Sequence, residues 1–246
     1  MLIHPTIESL RQMKLTGMVR ALESQLQTPD ILELPFDERF GMIVDAELTS
    51  RANSSLKSRL TKAKLRQSAC IEDMDFRTAR CLDRSVIANL ATSQWIGLRR
   101  NVLITGPTGS GKSFIACALA QKACRDGYTA SYQRASRLFH DLAVAKSTGR
   151  YATMLSGIAK KDVLVIDDFG LAALTDEHRH DLLEMVEERY ERKSLIIASQ
   201  LPLEQWHETI GDPTIADAIL DRIVHNAYKL CIKTKKSMRT NQDSDA

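Results

Sequence analysis

The chain has 246 residues, of which 43% are hydrophobic and 26% charged, a composition typical of a globular protein with one sizeable core and a small appendage. Its formal net charge is +3, and it contains no run of about 18 apolar residues that could cross a membrane. The first residues, MLIHPTIESLRQMK, lack the basic start and apolar core of a secretory signal, and the five cysteines show no CxxC spacing. We therefore expect a cytoplasmic protein with reduced thiols.

Residues 1–67 are predicted to form a small all-helical domain. Ile7, Leu10, Met18 and Leu22 recur at roughly helical spacing, which indicates a first helix with one apolar face. The sequence TPD at 28–30 ends that helical stretch, and a third helix is expected to begin near Phe36.

The third predicted helix ends in a basic block, because no acidic residue occurs from 51 to 66. Its cationic side chains are Arg51, Lys57, Arg59, Lys62, Lys64 and Arg66. Such a block favours a polyanionic partner, and on double-stranded DNA it would neutralise phosphates without reading the bases. A solvated cationic face is the alternative.

After a connector at 68–100 with a helix near 83–90, the pattern changes at residue 101. Short β-branched segments then alternate with longer helical stretches over 101–240, in the order NVLIT, TASYQ, VLVID, SLIIAS and YKLCI. This alternation predicts an α/β domain whose five-stranded parallel sheet is covered by helices on both faces. The polar tail at 241–246 is expected to fray.

The segment GPTGSGKS at 106–113 fits the pattern of a phosphate-binding loop between a strand and a helix. We expect its backbone N–H groups and the helix N-terminus to bind the phosphates of ATP, with Lys112 on the β- and γ-phosphates and the Ser113 hydroxyl on Mg²⁺. The residues predicted to bind the nucleotide are Gly106, Pro107, Thr108, Gly109, Ser110, Gly111, Lys112, Ser113 and Phe114.

Two adjacent aspartates follow the buried strand segment VLVI. Burying unpaired carboxylates is costly, and the cost is offset if Mg²⁺ and phosphates sit at this end of the sheet. We expect Asp167 to hold the metal and Asp168 to polarise the attacking water, although Asp168 could instead be a turn residue. Asp168 is one methylene shorter than the Glu usual at this place, so hydrolysis is predicted to be slow or stimulated by a partner.

Two further catalytic candidates lie later in the chain. Ser199 ends the fourth predicted strand, and either it or Gln200 could reach the γ-phosphate or the water; a plain strand-end turn is the alternative. Arg222 follows Asp221 on a helix before the last strand and could stabilise charge on the nucleotide of a neighbouring subunit. A surface arginine paired with an acid is the other possibility.

These motifs resemble the AAA+ ATPases, and the chain as a whole is similar to the IstB-like ATP-binding proteins, relatives of the DnaC-type helicase loaders. The resemblance is carried by HPTIESLRQMKLTGM, IEDMDF, NVLITGPTGSGKS, VLVIDDFG and IIASQLPLEQW. It implies an AAA+ three-layer sandwich, a helical N-terminal domain that engages DNA, and an ATP-dependent homo-oligomer with an arginine finger in trans. It also implies a partner transposase.

The resemblance further implies an extra helix between the second and third strands, with Lys146 and Arg150 facing DNA. The bare sequence there allows a solvated loop equally well. Because few residues follow Arg222, we expect no C-terminal lid domain.

The preferred function is an ATP-dependent DNA-binding ATPase that oligomerises on target DNA and recruits or activates a transposase, with hydrolysis dismantling the complex. A DnaC-like loader of a replicative helicase is the alternative. A small-molecule kinase is disfavoured, because the Asp167–Asp168 pair and Arg222 favour hydrolysis.

Overall fold

The computed structural model describes residues 3–74, 76 and 82–233, so the predicted tail at 241–246 lies outside the described residues. The chain divides into two compact units, Met1–Ser58 and Arg59–Ala246. No helix among the described residues is long and apolar enough to cross a membrane. The four cysteines that the structure describes, Cys70, Cys117, Cys124 and Cys231, are free thiols, and Cys81 lies outside the described residues.

The first unit is helical, as predicted. It contains α1 (Ile3–Gln12), α2 (Thr16–Gln27) and the larger part of α3 (Phe36–Ala63), with a short 3-10 helix at Pro29–Glu33. α2 approaches α3 at Gly17, where a Cβ atom would lie 2.6 Å from the carbonyl oxygen of Ala46. The buried carboxylate of Glu47 accepts hydrogen bonds from the backbone N–H groups of Gly17 (2.7 Å) and Met18 (3.2 Å). It thereby satisfies amides in the first turn of α2 that have no partner within the helix.

The second unit alternates helices and strands in chain order. These elements are α4 (Arg84–Leu90), α5 (Gln94–Gly97), β1 (Asn101–Thr105), α6 (Lys112–Arg125), β2 (Ala130–Arg134), α7 (Ala135–Ser147), α8 (Tyr151–Ala159), β3 (Val163–Phe169), α9 (Asp176–Arg189), β4 (Ser194–Ser199), α10 (Trp206–Ile210), α11 (Pro213–Val224) and β5 (Ala227–Cys231), with a 3-10 helix at Leu203–Gln205. The helices predicted between the second and third strands are α7 and α8.

The five strands form one parallel sheet in the order β2-β3-β4-β1-β5. β1, β4 and the hydrophobic half of β3 are buried along their length because helices cover both faces of the sheet. The predicted α/β sandwich with a five-stranded parallel sheet is therefore confirmed. Its order brings the carboxyl ends of β1, β3 and β4 side by side, at the edge where ligands bind in open α/β sheets.

The register between β3 and β4 shifts between Ile166 and Phe169. The shift falls on the two aspartates, and Asp168 adopts a φ of 58°, in the left-handed region that non-glycine residues rarely occupy. Phe169 then returns to the core, where its ring packs 4.9 Å from that of Trp206. This local irregularity turns Asp168 partly toward solvent while Asp167 stays buried.

Candidate functional site

The loop between β1 and α6 is shaped by glycines. Gly106 has a φ of 152°, and a Cβ atom there would lie 2.6 Å from the carbonyl oxygen of Ile232. Gly111 is the N-cap of α6 with a φ of 93° and offers no side chain to its first-turn amides. Those N–H groups and the positive end of the helix dipole are thus left for an anionic ligand.

Lys112 folds back over this loop. Its Nζ donates hydrogen bonds to the carbonyl oxygens of Gly106 (2.7 Å) and Pro107 (2.8 Å). Burial lowers the pKa of Lys112, and the charges of Asp167 and Asp168 oppose that shift. The ammonium group is therefore held in place over the loop, as a residue that meets phosphate groups must be.

The two aspartates at the end of β3 differ in environment. Asp167 is 1% exposed; its Oδ2 accepts a hydrogen bond from the hydroxyl of Tyr132 on β2, and its Oδ1 accepts one from the backbone N–H of Asp168 at 2.9 Å. Asp168 is 28% exposed and lines the cleft beside the loop. Only Asp168 is thus placed for direct contact with a water molecule in the cleft.

Two arginines flank the aspartates. Nη1 of Arg66 lies 3.8 Å from Oδ2 of Asp167 and 3.9 Å from Oδ2 of Asp168, and Nε of Arg134 lies 4.0 Å from the same oxygen of Asp168. The pKa of Arg66 is raised; burial acts to lower it, but its hydrogen bond with Tyr132 and the two carboxylates outweigh burial. The sequence predicted Arg66 as part of the basic block and did not predict Tyr132 or Arg134 at this site. No motif marks residues that are so far along the chain from the aspartates.

Two neighbouring polar residues at the end of β4, Ser199 and Gln200, have different surroundings. The hydroxyl of Ser199 is buried; it donates to the carbonyl oxygen of Phe169 (2.7 Å) and accepts from the N–H of Leu201 (3.1 Å). The side chain of Gln200 instead lies against the phosphate loop, where its Oε1 accepts a hydrogen bond from Oγ1 of Thr108 at 2.5 Å. Gln200, and not Ser199, therefore presents a polar group to the phosphate loop.

A cleft of about 510 Å³ opens between the loop and the strand ends. Its lining residues are Arg66, Gln67, Thr108, Gly109, Gly111, Lys112, Ser113, Phe114, Asp168, Leu171 and Gln200. Ser110 lies beneath it, and its buried Oγ has no hydrogen-bond partner among the described residues. The cleft joins the loop that carries Lys112 to the carboxylate of Asp168, next to the buried Asp167, an arrangement that suits a metal-bound polyphosphate.

The donors present fit Mg²⁺. The Ser113 hydroxyl and the Asp167 carboxylate are the hard oxygen ligands that this ion prefers. Among the described residues no group of three or more His, Cys, Asp or Glu side chains is placed to hold a metal. Mg²⁺ is commonly bound by one or two protein oxygens together with substrate phosphates, so the small number of protein ligands is compatible with this ion.

Arg222 lies away from this cleft. Its Nη1 donates to the carbonyl oxygen of Ala218 (2.7 Å), and its Nη2 lies 3.1 Å from Oε1 of Glu187. Nδ2 of Asn101, the first residue of β1, donates to the carbonyl oxygens of Arg222 and Ile223. Arg222 is therefore at the amino end of the sheet, opposite the phosphate loop, and does not line the cleft.

The predicted DNA contacts have varied surroundings. Arg51 pairs with Glu47 at 2.7 Å, and Nε of Arg59 donates to the carbonyl oxygen of Cys124 at 2.8 Å. Lys57, Lys62 and Lys64 are exposed. Because Arg51 already faces a carboxylate, part of its charge is offset before any phosphate binds.

The two predicted contacts between β2 and β3 also differ. Nζ of Lys146 lies 2.6 Å from Oδ1 of Asp181 and stacks over the ring of Tyr151, whereas Arg150 is exposed beside the first turn of α8. Lys146 is thus partly neutralised within the fold.

Together the sheet order, the phosphate loop and the paired aspartates define a P-loop nucleotide-binding protein of the AAA+ type. The chain belongs to the IstB-like ATP binding protein family, whose model matches residues 8–246.

Relatives and solved structures agree with this assignment. The chain is 46% identical over 242 residues to "Putative insertion sequence ATP-binding protein y4pL" of Sinorhizobium fredii, covering 98% of each chain. It is 47% identical over 203 residues to "Insertion sequence IS1162 putative ATP-binding protein" of Pseudomonas fluorescens, covering 82% of this chain and 88% of the relative. The fold is similar to that of the DnaC helicase loader, with a TM-score of 0.55 and 16% identity over 67% of this chain and 97% of that one.

Proposed function

We propose that the protein is an Mg²⁺-dependent ATPase that assembles on double-stranded DNA and recruits or activates a transposase, with hydrolysis dismantling the assembly. The observation that carries this proposal is that Lys112 and Asp168 line one cleft, with the buried Asp167 next to Asp168 in the chain. The relatives' names refer to insertion sequences, which supports transposition over the loading of a replicative helicase. We place this activity in the cytoplasm.

In the proposed reaction the loop amides and Lys112 bind the phosphates, and Asp167 and Ser113 hold the metal. Bound Mg²⁺ supplies charge compensation on the phosphate oxygens. Asp168 accepts a hydrogen bond from the attacking water, and Gln200, already bonded to Thr108, contacts the water or the terminal phosphate. Asp168 has a short side chain, and its Oδ2 lies within 4.0 Å of both Arg66 and Arg134, which compete with the water for that oxygen. Slow or partner-stimulated turnover follows from this arrangement.

Arg222 completes the site of a neighbouring subunit in this proposal. Its place at the amino end of the sheet, away from the phosphate loop, supports an action in trans. The contact with Glu187 on α9 would then be exchanged for the neighbour's phosphate oxygens when the oligomer forms. ATP would thereby favour subunit association, and loss of the γ-phosphate would favour release.

The DNA-binding surface is proposed to include the exposed lysines Lys57, Lys62 and Lys64. Contacts with phosphates make affinity fall with salt, with a slope of about −0.9 per neutralised phosphate. We expect non-specific binding of duplex DNA that is tighter with ATP than with ADP. Fluorescence anisotropy over a range of salt concentrations tests this: replacing the three lysines by alanine should reduce the slope by about two to three.

The matched control for that experiment is Arg192→Ala, which removes a charge from an exposed arginine near the end of α9. This control should leave the slope unchanged. DNA affinity that depends on neither salt nor nucleotide would contradict the proposed function.

A further inference from the structure

Among the cationic residues of the basic block, Arg66 is the one that lies at the proposed nucleotide site. It follows shortly after Ala63, the last residue of α3, and two of the residues that precede it pack within the second unit. Ala63 is fully buried, and Nε of Arg59 donates to the carbonyl oxygen of Cys124 on α6, the helix that begins at the phosphate loop. The guanidinium of Arg66 then lines the cleft together with Lys112 and Asp168.

Among the described residues, Arg66 is the one cation with a nitrogen within 4.0 Å of both aspartate carboxylates. Arg134 reaches Asp168 but pairs with no oxygen of Asp167, and the Nζ of Lys112 donates to loop carbonyls instead. A carboxylate that is 1% exposed is costly unless its charge is compensated. Arg66 supplies that compensation at the edge where a metal ligand is expected.

We propose that Arg66 is a positioning residue that competes with Mg²⁺ for the Asp167–Asp168 pair and so sets the metal dependence of nucleotide binding. The inference rests on the proposed nucleotide-binding function. Arg66 and the ion are both attracted by Oδ2 of Asp167, so binding of one weakens binding of the other. Arg66 is 36% exposed, so its guanidinium can swing into solvent, and the bound ion would then compensate the buried charge of Asp167 in its place.

The test is a titration of the full chain with Mg²⁺ at a fixed concentration of a fluorescent N-methylanthraniloyl ADP, which reports binding without hydrolysis. The Mg²⁺ concentration at half-maximal binding is compared for the wild type, Arg66→Ala and Arg66→Lys. We expect the alanine variant to need about two- to five-fold less Mg²⁺, the range for an ion pair at a partly exposed site. Lysine keeps the charge but loses the planar fork, so its midpoint should lie between the other two.

The matched control is Arg137→Ala, which removes one positive charge from the neighbouring surface, where Arg137 is 70% exposed and pairs with Asp141. Its midpoint should equal that of the wild type. Circular dichroism melting checks that each variant folds, and Arg66→Gln replaces the alanine variant if that one does not; if neither folds, Arg66 is a structural residue and the proposal fails.

An unchanged or higher Mg²⁺ midpoint for the folded alanine variant overturns the proposal. Arg66 would then either have no effect on metal binding or be a ligand of the nucleotide. A wild-type protein that binds the fluorescent ADP at no Mg²⁺ concentration would contradict the proposed ATPase function instead. The two failures are therefore distinguishable.

Discussion

The hydroxyl of Tyr132 on β2 donates a hydrogen bond to Oδ2 of Asp167 on β3. Burial, reinforced by the charge of Asp167, raises the pKa of Tyr132, so the phenol stays protonated and remains a donor at neutral pH. The contact fixes the orientation of a buried carboxylate that, in the proposed mechanism, presents its other lone pairs to a metal or its water.

Replacing Tyr132 by phenylalanine removes this hydrogen bond but keeps the ring in the core. We expect Mg²⁺-dependent ADP binding to weaken by about ten-fold, as is typical when a partner that orients a metal ligand is lost. Isothermal titration calorimetry measures the effect. Tyr228→Phe is the control, since its hydroxyl contacts only the exposed Arg100 among the described residues; equal affinities for the two variants would show that the Asp167 contact does not matter.

Asp168→Asn tests the division of labour between the two aspartates. The amide keeps the shape of the side chain but cannot polarise water as a base, so turnover should fall by about a hundred-fold while nucleotide binding persists. Phosphate release and fluorescent nucleotide binding are measured on the same preparation. Normal hydrolysis by this variant would reduce Asp168 to a turn residue with a φ of 58°.

A mixing experiment tests whether Arg222 acts in trans. Arg222→Ala and Asp168→Asn should each be nearly inactive alone. Mixed in equal amounts with DNA, they form some interfaces with an intact aspartate from one subunit and an intact arginine from the next. ATPase activity should therefore recover to roughly a quarter of the wild-type value if subunits mix at random and neighbours act independently. A mixture as inactive as its components would argue against this arrangement.

Glu47 is predicted to make the stability of the first unit sensitive to acid. The hydrogen bond with Arg51, together with the amides of Met18 and Gly17, lowers the pKa of Glu47, while burial opposes the shift. The folded-state pKa is below the unfolded value of about 4.3, so this stabilisation is complete above that pH and is lost as the pH falls through the folded-state pKa.

Glu47→Gln should consequently flatten the loss of stability between about pH 5 and pH 3, a range that brackets the unfolded pKa. Urea denaturation followed by circular dichroism at several pH values measures it. The control is Glu23→Gln, which changes an exposed carboxylate that pairs with Arg11. Identical pH profiles for the wild type and Glu47→Gln would refute this role of Glu47 in stability.

The phosphate loop, the strand–helix alternation and the Asp167–Asp168 pair are predictable from sequence because each is a local pattern with a fixed spacing. The α/β fold and its five strands follow from the same periodicity. By contrast, Arg66 and Tyr132 reach the aspartates only through the tertiary fold, and nothing in their neighbouring residues marks them.

Ser199 and Gln200 are a second case in which the sequence does not predict which side chain lies at the site. They are adjacent in sequence, and alternation along a strand places them on opposite sides without saying which side faces the loop. The structure answers this through the bonds of Ser199 to Phe169 and of Gln200 to Thr108.

The most direct test of the central claim is electron microscopy of the purified protein with duplex DNA in the presence of ATP, ADP or no nucleotide. Lys112→Ala, which lacks the ammonium group over the phosphate loop, is imaged beside the wild type. We predict ordered assemblies of the wild type on DNA with ATP alone, and none with Lys112→Ala. Monomers under all conditions, or identical assemblies without nucleotide, would contradict an ATP-dependent DNA-assembling ATPase.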